Sequence, residues 1–430
     1  MKASIGGTAA SSMTACWGRV GRSSGKARSC VVVSILCLGG ALAACGGSSS
    51  SPPNGAQSAQ SKSSSRPVRE PFTIFWVAGL TGANASQQAP VAAGLQAWAE
   101  VINKTGGISG HPVKVITCDN RSSVSQTVSC ASTMPANVGV VLEAGDTGDI
   151  EAMNPIVQAA GRLALTNTPT ANPKHGSNLY QIGVSIKTDI AQVVGIARSN
   201  NITRVGLVTT SDATGQVVAS SFSQLAAQAG IRLSVLELAP SSVDATVQIS
   251  QLMSDHVQMV YIGALGEPAI ASIRAVSVVG IKVPIFVLPA DVTQTSLSVI
   301  GKSMPDQIYG APPNVFQSQG TLNGRYKVGV DKLEAQYKMI TGKTWNTAEL
   351  ALQGAFLGSL SATIMGALGP QPTLAAAATF LKKTVNTPLG PIGFPATTAF
   401  QDGNLPTPFA EATSSNRQWG ACQSGPLLKC

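Results

Sequence analysis

Four times between Phe72 and Gly280 the chain repeats one order of signals: a short apolar run, a loop of Gly, Ser and Thr, an amphipathic stretch, and a glycine. The first copy reads Phe-Thr-Ile-Phe-Trp-Val-Ala-Gly over 72–79, continues through Leu80-Thr81-Gly82, and enters a helical pattern with Val91, Leu95, Trp98 and Ile102 on one face. It ends at Gly106-Gly107 before a second apolar run from Val113 to Cys118. Later copies start at Val138–Leu142, Val205–Val208 and Val257–Ile262 and stop at Gly161, Gly230 and Gly280. Continuous β-branched and aromatic runs mark strands buried on both faces, and the intervening helices supply the crossovers that parallel strands need. The pattern predicts an α/β fold of parallel sheets flanked by helices. In such sheets the loops at the carboxyl ends of the strands, where helix N-termini offer free N–H groups, are where ligands sit.

The first 45 residues form an address. Arg19, Arg22, Lys26 and Arg28 precede a short apolar core, Val31 to Leu42, and then small residues. That order is a secretory signal, and the apolar core is too short for a membrane span of roughly 20 residues. Leu42-Ala43-Ala44-Cys45 resembles a bacterial lipobox, which implies a signal peptide over 1–44, cleavage before Cys45 and a diacylglycerol on its sulfur. Met13 is a second candidate start. Residues 45–70 hold nine serines, Pro52-Pro53 and no aromatic residue. Such a segment cannot bury enough apolar surface to offset its ordering entropy, so it reads as a disordered tether.

The formal charge is +9, but five of the basic residues lie in the first 44 positions, leaving 24 Lys plus Arg against 20 Asp plus Glu. With no basic run interleaved with aromatics in the rest, nucleic acid is not an expected partner. Outside the signal and Cys45, four cysteines remain, Cys118, Cys130, Cys422 and Cys430. They allow three connectivities, of which pairing of sequence neighbours is the simplest. Neither pair has C-x-x-C spacing and only His111, His175 and His256 could assist, so no metal and no cofactor is expected. Leu350 to Leu368 has no charge and is long enough to cross a membrane, but Leu352, Phe356, Leu360, Ile364 and Leu368 recur beside Gly354, Gly358 and Gly366. This predicts a helix packed closely inside the fold. An enzyme is not expected: beyond the signal segment there is no G-x-S-x-G elbow, and Gly-Lys-Ser at 301–303 and Gly-Lys-Thr at 342–344 lack the upstream glycine of a phosphate loop.

Further motifs carry a resemblance. Gly79-Leu80-Thr81-Gly82, Asn103 with Gly106-Gly107-Ile108-Ser109-Gly110-His111-Pro112, Cys118-Asp119, Ala171-Asn172-Pro173, Val260 to Glu267 and Leu389-Gly390-Pro391-Ile392-Gly393-Phe394 stand in the order found in one family. Residues 71 to about 410 resemble the type I periplasmic binding proteins of the branched-chain amino-acid transporter class, in lipoprotein form. The resemblance implies two α/β lobes joined by three crossovers, near Val184–Lys187, Pro312–Val315 and Asn386–Pro391. Lobe one is then 71–185 with 315–388, and lobe two 186–314 with 389–430. It implies a monomer, lipid-anchored on the extracytoplasmic face of the cell membrane. Such a protein captures a small solute, an amino acid, amide or small organic acid, and delivers it to an ABC permease; the alternative is a sensor of the same fold that signals to a membrane partner.

The resemblance also implies site residues. Thr81 lies in the first loop; Thr147 and the N–H of Gly148 match the donors to a ligand carboxylate, beside an Asp146 that either repels it or caps the next helix. Thr168 and Thr170 match a hydroxyl-rich loop. In lobe two Thr214 and Leu265 stand where relatives carry aromatics, and Asp291 is the candidate acid for an ammonium group. Trp76, inside an apolar strand, is expected in the core.

Overall fold

The computed structural model describes residues 69–171, 178–182, 185–310, 324–342, 349–383, 385–387, 389–392, 410–413, 415, 420–421 and 428. Cys45, Cys422, Cys430, Val184 and the crossover expected at 312–315 lie outside these residues, as do 1–68.

Two sheets carry the fold. The first has five parallel strands in the order β2-β1-β3-β4-β5: β1 Phe72–Ala78, β2 Val113–Asp119, β3 Val140–Glu143, β4 Leu163–Thr166 and β5 Leu179–Gln181. All seven residues of β1 are buried because helices cover both faces. Its side chains alternate accordingly. Phe72, Ile74, Trp76 and Ala78 enter one core with α1 (Ala85–Lys104), while Phe75 and Val77 enter another with α2 (Val124–Ser132) and α3 (Thr147–Ala159). Trp76 is thus a core residue, as expected.

The chain then passes from β5 to α4 (Ile186–Ser199), whose first N–H is bonded to the Pro169 carbonyl of the first lobe at 2.8 Å. The second sheet runs β14-β13-β10-β9-β8-β6-β7. Strands β6 (Arg204–Thr210), β7 (Arg232–Leu238), β8 (Met259–Ile262), β9 (Ile285–Val287) and β10 (Gln307–Gly310) are parallel. On this edge β13 (Ala410–Thr413) and β14 (Gly420–Ala421) add antiparallel. Helices α5 (Ala213–Gln228), α6 (Thr246–Ser254), α7 (Glu267–Val279) and α8 (Gln294–Ile300) connect these strands. Gly280 ends α7 at φ 79°, a left-handed cap that glycine adopts without strain.

The later helices α9 (Gly324–Thr341), α10 (Glu349–Leu368) and α11 (Leu374–Leu381) return to the first lobe, where Leu333, Leu360 and Leu381 join its core. Lys104 and Glu100 on α1 both bond the Gln336 amide, fastening α9. Strands β11 (Val385–Thr387) and β12 (Gly390–Ile392) form a hairpin, and Leu389 between them belongs to the lobe-one core. Lobe one therefore reaches past 388, because this apolar side chain finds its cover there.

The apolar stretch at 350–368 is α10, an interior helix packed on α1. A Cβ at Gly94 would lie 1.8 Å from the Ala351 carbonyl oxygen, and one at Gly354 would lie 1.9 Å from that of Val91. The two backbones touch, which only glycine permits. Cys118 and Cys130 are bridged, tying β2 to α2. That is the neighbour pairing the sequence favoured.

The glycine contact gives a paired test in urea unfolding. Gly354→Ala should destabilise the protein by about 1–3 kcal/mol through overpacking. Gly195→Ala, exposed on α4 with open space around it, should stabilise by up to about 1 kcal/mol.

Candidate functional site

Both lobes line one small cavity at the carboxyl ends of the strands. Lobe one contributes Asn84, Gln87 and Gln88 from the start of α1, Leu350 and Gln353 from α10, Gly145-Asp146 after β3 and Asn167-Thr168-Pro169 after β4. Lobe two contributes Leu265 after β8 and Pro289-Ala290 after β9. The cavity leaves about 40 Å³ in which the centre of a water molecule can lie. One water needs roughly 10–15 Å³ on that measure, so the closed cleft has room for about three. A neighbouring cavity shares Gln87 and Leu350 and is lined also by Asp291, Thr293 and Ser296.

Hydrogen bonds cross directly between the lobes here. The Gln87 amide donates to Asp291 Oδ1 at 2.9 Å. The Thr147 N–H donates to Thr214 Oγ1 at 3.1 Å, and the Thr214 hydroxyl donates to Thr147 Oγ1 at 3.1 Å. Thr147 in turn donates to Thr170 at 2.7 Å, so three buried hydroxyls join in one cluster.

The sequence-derived residues therefore separate into groups. Thr168 and Leu265 line the main cavity, and Asp291 lines its neighbour. Thr147, Thr170 and Thr214 sit in the interlobe cluster, with half-buried Gly148 beside it facing Val124 and Ala213. Thr81 is turned elsewhere: exposed, it donates its hydroxyl to Asp119 Oδ2 at 2.8 Å and so orders the loop after β1. Asp146 holds the capping position and also faces the cavity. It stands at the N-cap position of α3, its N–H bonded to Asp149 Oδ2, while its carboxylate accepts from Asn84 at 3.2 Å and lines the cavity. Sequence reading missed Asn84, Gln87, Gln88 and Gln353. The available signal was the position of the first three, at the helix opened by the first strand, where a ligand loop is expected.

Residues 71–415 match the sequence profile of the family described as periplasmic binding protein. No curated protein sequence matches the chain significantly. Among solved structures, a leucine-binding protein from Thermotoga maritima aligns with TM-score 0.67 at 17% identity, over 82% of this chain and 98% of that one. An ABC transporter solute-binding protein from R. palustris, in complex with benzoate, aligns with TM-score 0.67 at 14% identity, over 84% and 99%. A fatty acid ABC transporter substrate-binding protein from Thermomonospora curvata aligns with TM-score 0.66 at 16% identity, over 82% and 91%. At these identities the likeness is one of fold.

Burial governs the charges around the cleft. It pushes the Asp291 carboxyl up to about 8 against the opposing Gln87 bond. It pushes Asp146 up to about 6, opposed by the Asn84 bond and reinforced by the charges of Asp149 and Asp212. In the lobe-two core, Asp189 accepts the Tyr261 hydroxyl at 2.5 Å, and burial raises its carboxyl to about 7. Each group binds a proton more tightly in the folded chain than at the ordinary carboxylate value of 3.8. Between that value and the raised one, unfolding releases the proton, so stability is greatest at low pH and falls as pH rises. From these groups, thermal melts should show decreasing stability from pH 5 to pH 8. Asp189→Asn should flatten the part of the slope below about pH 7, and a melting temperature that rises throughout this range would contradict the assignment.

Proposed function

Because this chain belongs to the periplasmic binding protein family, we propose that it is an extracytoplasmic solute-binding protein, which captures a small polar solute between closing lobes and hands it to an ABC permease. The observation that carries this reading is the cavity between the lobes, walled by buried amide and hydroxyl side chains of one lobe and by Leu265, Pro289 and Ala290 of the other. Fixed polar groups set beside apolar surface are how small-molecule sites orient their occupants. The ABC transporter solute-binding and substrate-binding proteins among its structural relatives support the permease step. Closure would desolvate the solute and create the surface that the permease reads.

The anchor belongs to the same proposal. The basic, apolar and small-residue order before Cys45 supports cleavage there and lipidation of its sulfur, with the serine-rich tether spanning from membrane to fold. A 24-residue chain of this stiffness, Gly46 to Arg69, has a root-mean-square span of about 27 Å.

Two outcomes test the proposal. In a thermal-shift panel of amino acids, amides, amines and organic acids, a cognate solute at 100 times its Kd should add about 2.7 kcal/mol of stability. Leu265→Trp, which fills the cavity, should abolish that shift without unfolding the protein. For the anchor, Cys45→Ala should move the protein from the membrane fraction to the medium, and unchanged membrane retention would refute lipidation at this position.

A further inference from the structure

The polar groups around the cleft are unequally satisfied. Several of its donors are engaged: Asn84 donates to Asp146, Gln87 to Asp291, and Asn167 to Gln353 at 2.8 Å. Thr168 donates to the Gly145 carbonyl, Thr147 to Thr170, and Thr214 to Thr147. The fully buried polar atoms bordering the two cavities that lack a partner are both acceptors. Gln88 Oε1 in the wall of the main cavity and Asp291 Oδ2 in the wall of its neighbour have no hydrogen-bond partner in the protein. Both residues are at least nine-tenths buried, at 9% and 2% exposure. A buried acceptor left without a donor costs about 1–3 kcal/mol, and more when it is ionised.

The charges lean the same way. Asp146 faces the main cavity, with Asp149 and Asp212 close enough to repel it, and Asp291 and Glu267 border the second cavity. Among the described residues, no Lys, Arg or His lines either cavity. A carboxylate entering here would meet like charges and hydroxyls already bonded within the protein. A cation with N–H groups would meet acceptors that need donors and negative charge that needs neutralising.

We propose that the cleft takes a small cationic solute with several N–H donors, of the amidinium or alkylammonium class, held by Asp146, Gln88 and Asp291, and that it discriminates against carboxylates. This rests on the solute-binding reading above and narrows its solute class. The room for about three waters in the closed cleft favours a cation of few atoms.

The test uses three probes of nearly one shape and different charge, acetamidinium, acetamide and acetate, titrated calorimetrically into the full chain at pH 9, where Asp146 and Asp291 are both ionised. Acetamidinium should bind at least tenfold more tightly than acetamide, and acetate should give no heat above dilution. Asp146→Asn should remove at least tenfold of the acetamidinium affinity with its circular dichroism spectrum unchanged. Should that variant fail to fold, Gln88→Leu, which deletes the unpartnered acceptor, should weaken acetamidinium at least threefold. Equal binding of acetamidinium and acetamide, or a preference for acetate or for leucine, overturns the cationic class and leaves solute binding standing. Silence of these probes together with the whole thermal-shift panel removes both.

Discussion

The wall of the cleft depends on two helices lying backbone to backbone. Gly94 of α1 and Gly354 of α10 each face a carbonyl of the other helix at a distance that admits no side chain, and Gly358 receives the Trp98 ring in the same way. Such an approach fixes both the spacing and the axial register of the helices, because neither can slide without driving a Cβ into a backbone. The register matters at one end. The N-terminal turns of the two helices present Asn84, Gln87, Gln88, Leu350 and Gln353 side by side in the cavity. The contact that consolidates the lobe-one core therefore also sets the positions of five cleft residues.

The cleft departs from what a receptor for zwitterionic amino acids needs. Of the hydroxyls matched to carboxylate donors, Thr147 and Thr170 are buried and bonded to each other, Thr147 is bonded across the lobes to Thr214, and Thr168 donates to the Gly145 carbonyl. The candidate ammonium acceptor, Asp291, survives, but its partner is the Gln87 amide. Half of the zwitterion's recognition is thus present and half has been converted into contacts within the protein. A carboxylate with only one neutral amide beside it in a dry site holds its proton more tightly, which is why burial dominates its titration.

Much of the fold was legible because it is written in periodicity. The all-buried β1, the helix pattern beginning near Val91 and the left-handed glycines at 161, 230 and 280 each have a local cause that a single sequence displays. The interior place of 350–368 was legible as well, since its glycines recur at the spacing of one helix face. The cleft was less so. Gln87 and Gln88 look like surface amides on an exposed first turn, yet both are buried, Gln87 bonded to Asp291 of the other lobe. Gln353 reads as a polar break in an apolar helix until Asn167, 186 residues earlier, bonds to it. Asp291 could be named but not placed, because Pro289 and Ala290 obscure the register; they form a short 3-10 turn that directs the carboxylate inward. Thr81 shows the converse, a loop hydroxyl whose local partner, Asp119, claims it first.

These features bear on how the lobes sense an occupant. A solute shifts the balance between open and closed lobes only by binding one state better than the other. The direct bonds across the lobes are few and largely between neutral groups, each contributing about 0.5–1.5 kcal/mol net, since parting the lobes returns the same groups to water. Against them stand Gln88 Oε1 and Asp291 Oδ2, acceptors that closure buries without a protein partner. A solute that donates to both acceptors removes that penalty in the closed state alone. On the proposed solute-binding reading, the incompleteness of the cleft's own hydrogen bonding would favour closure on an occupant.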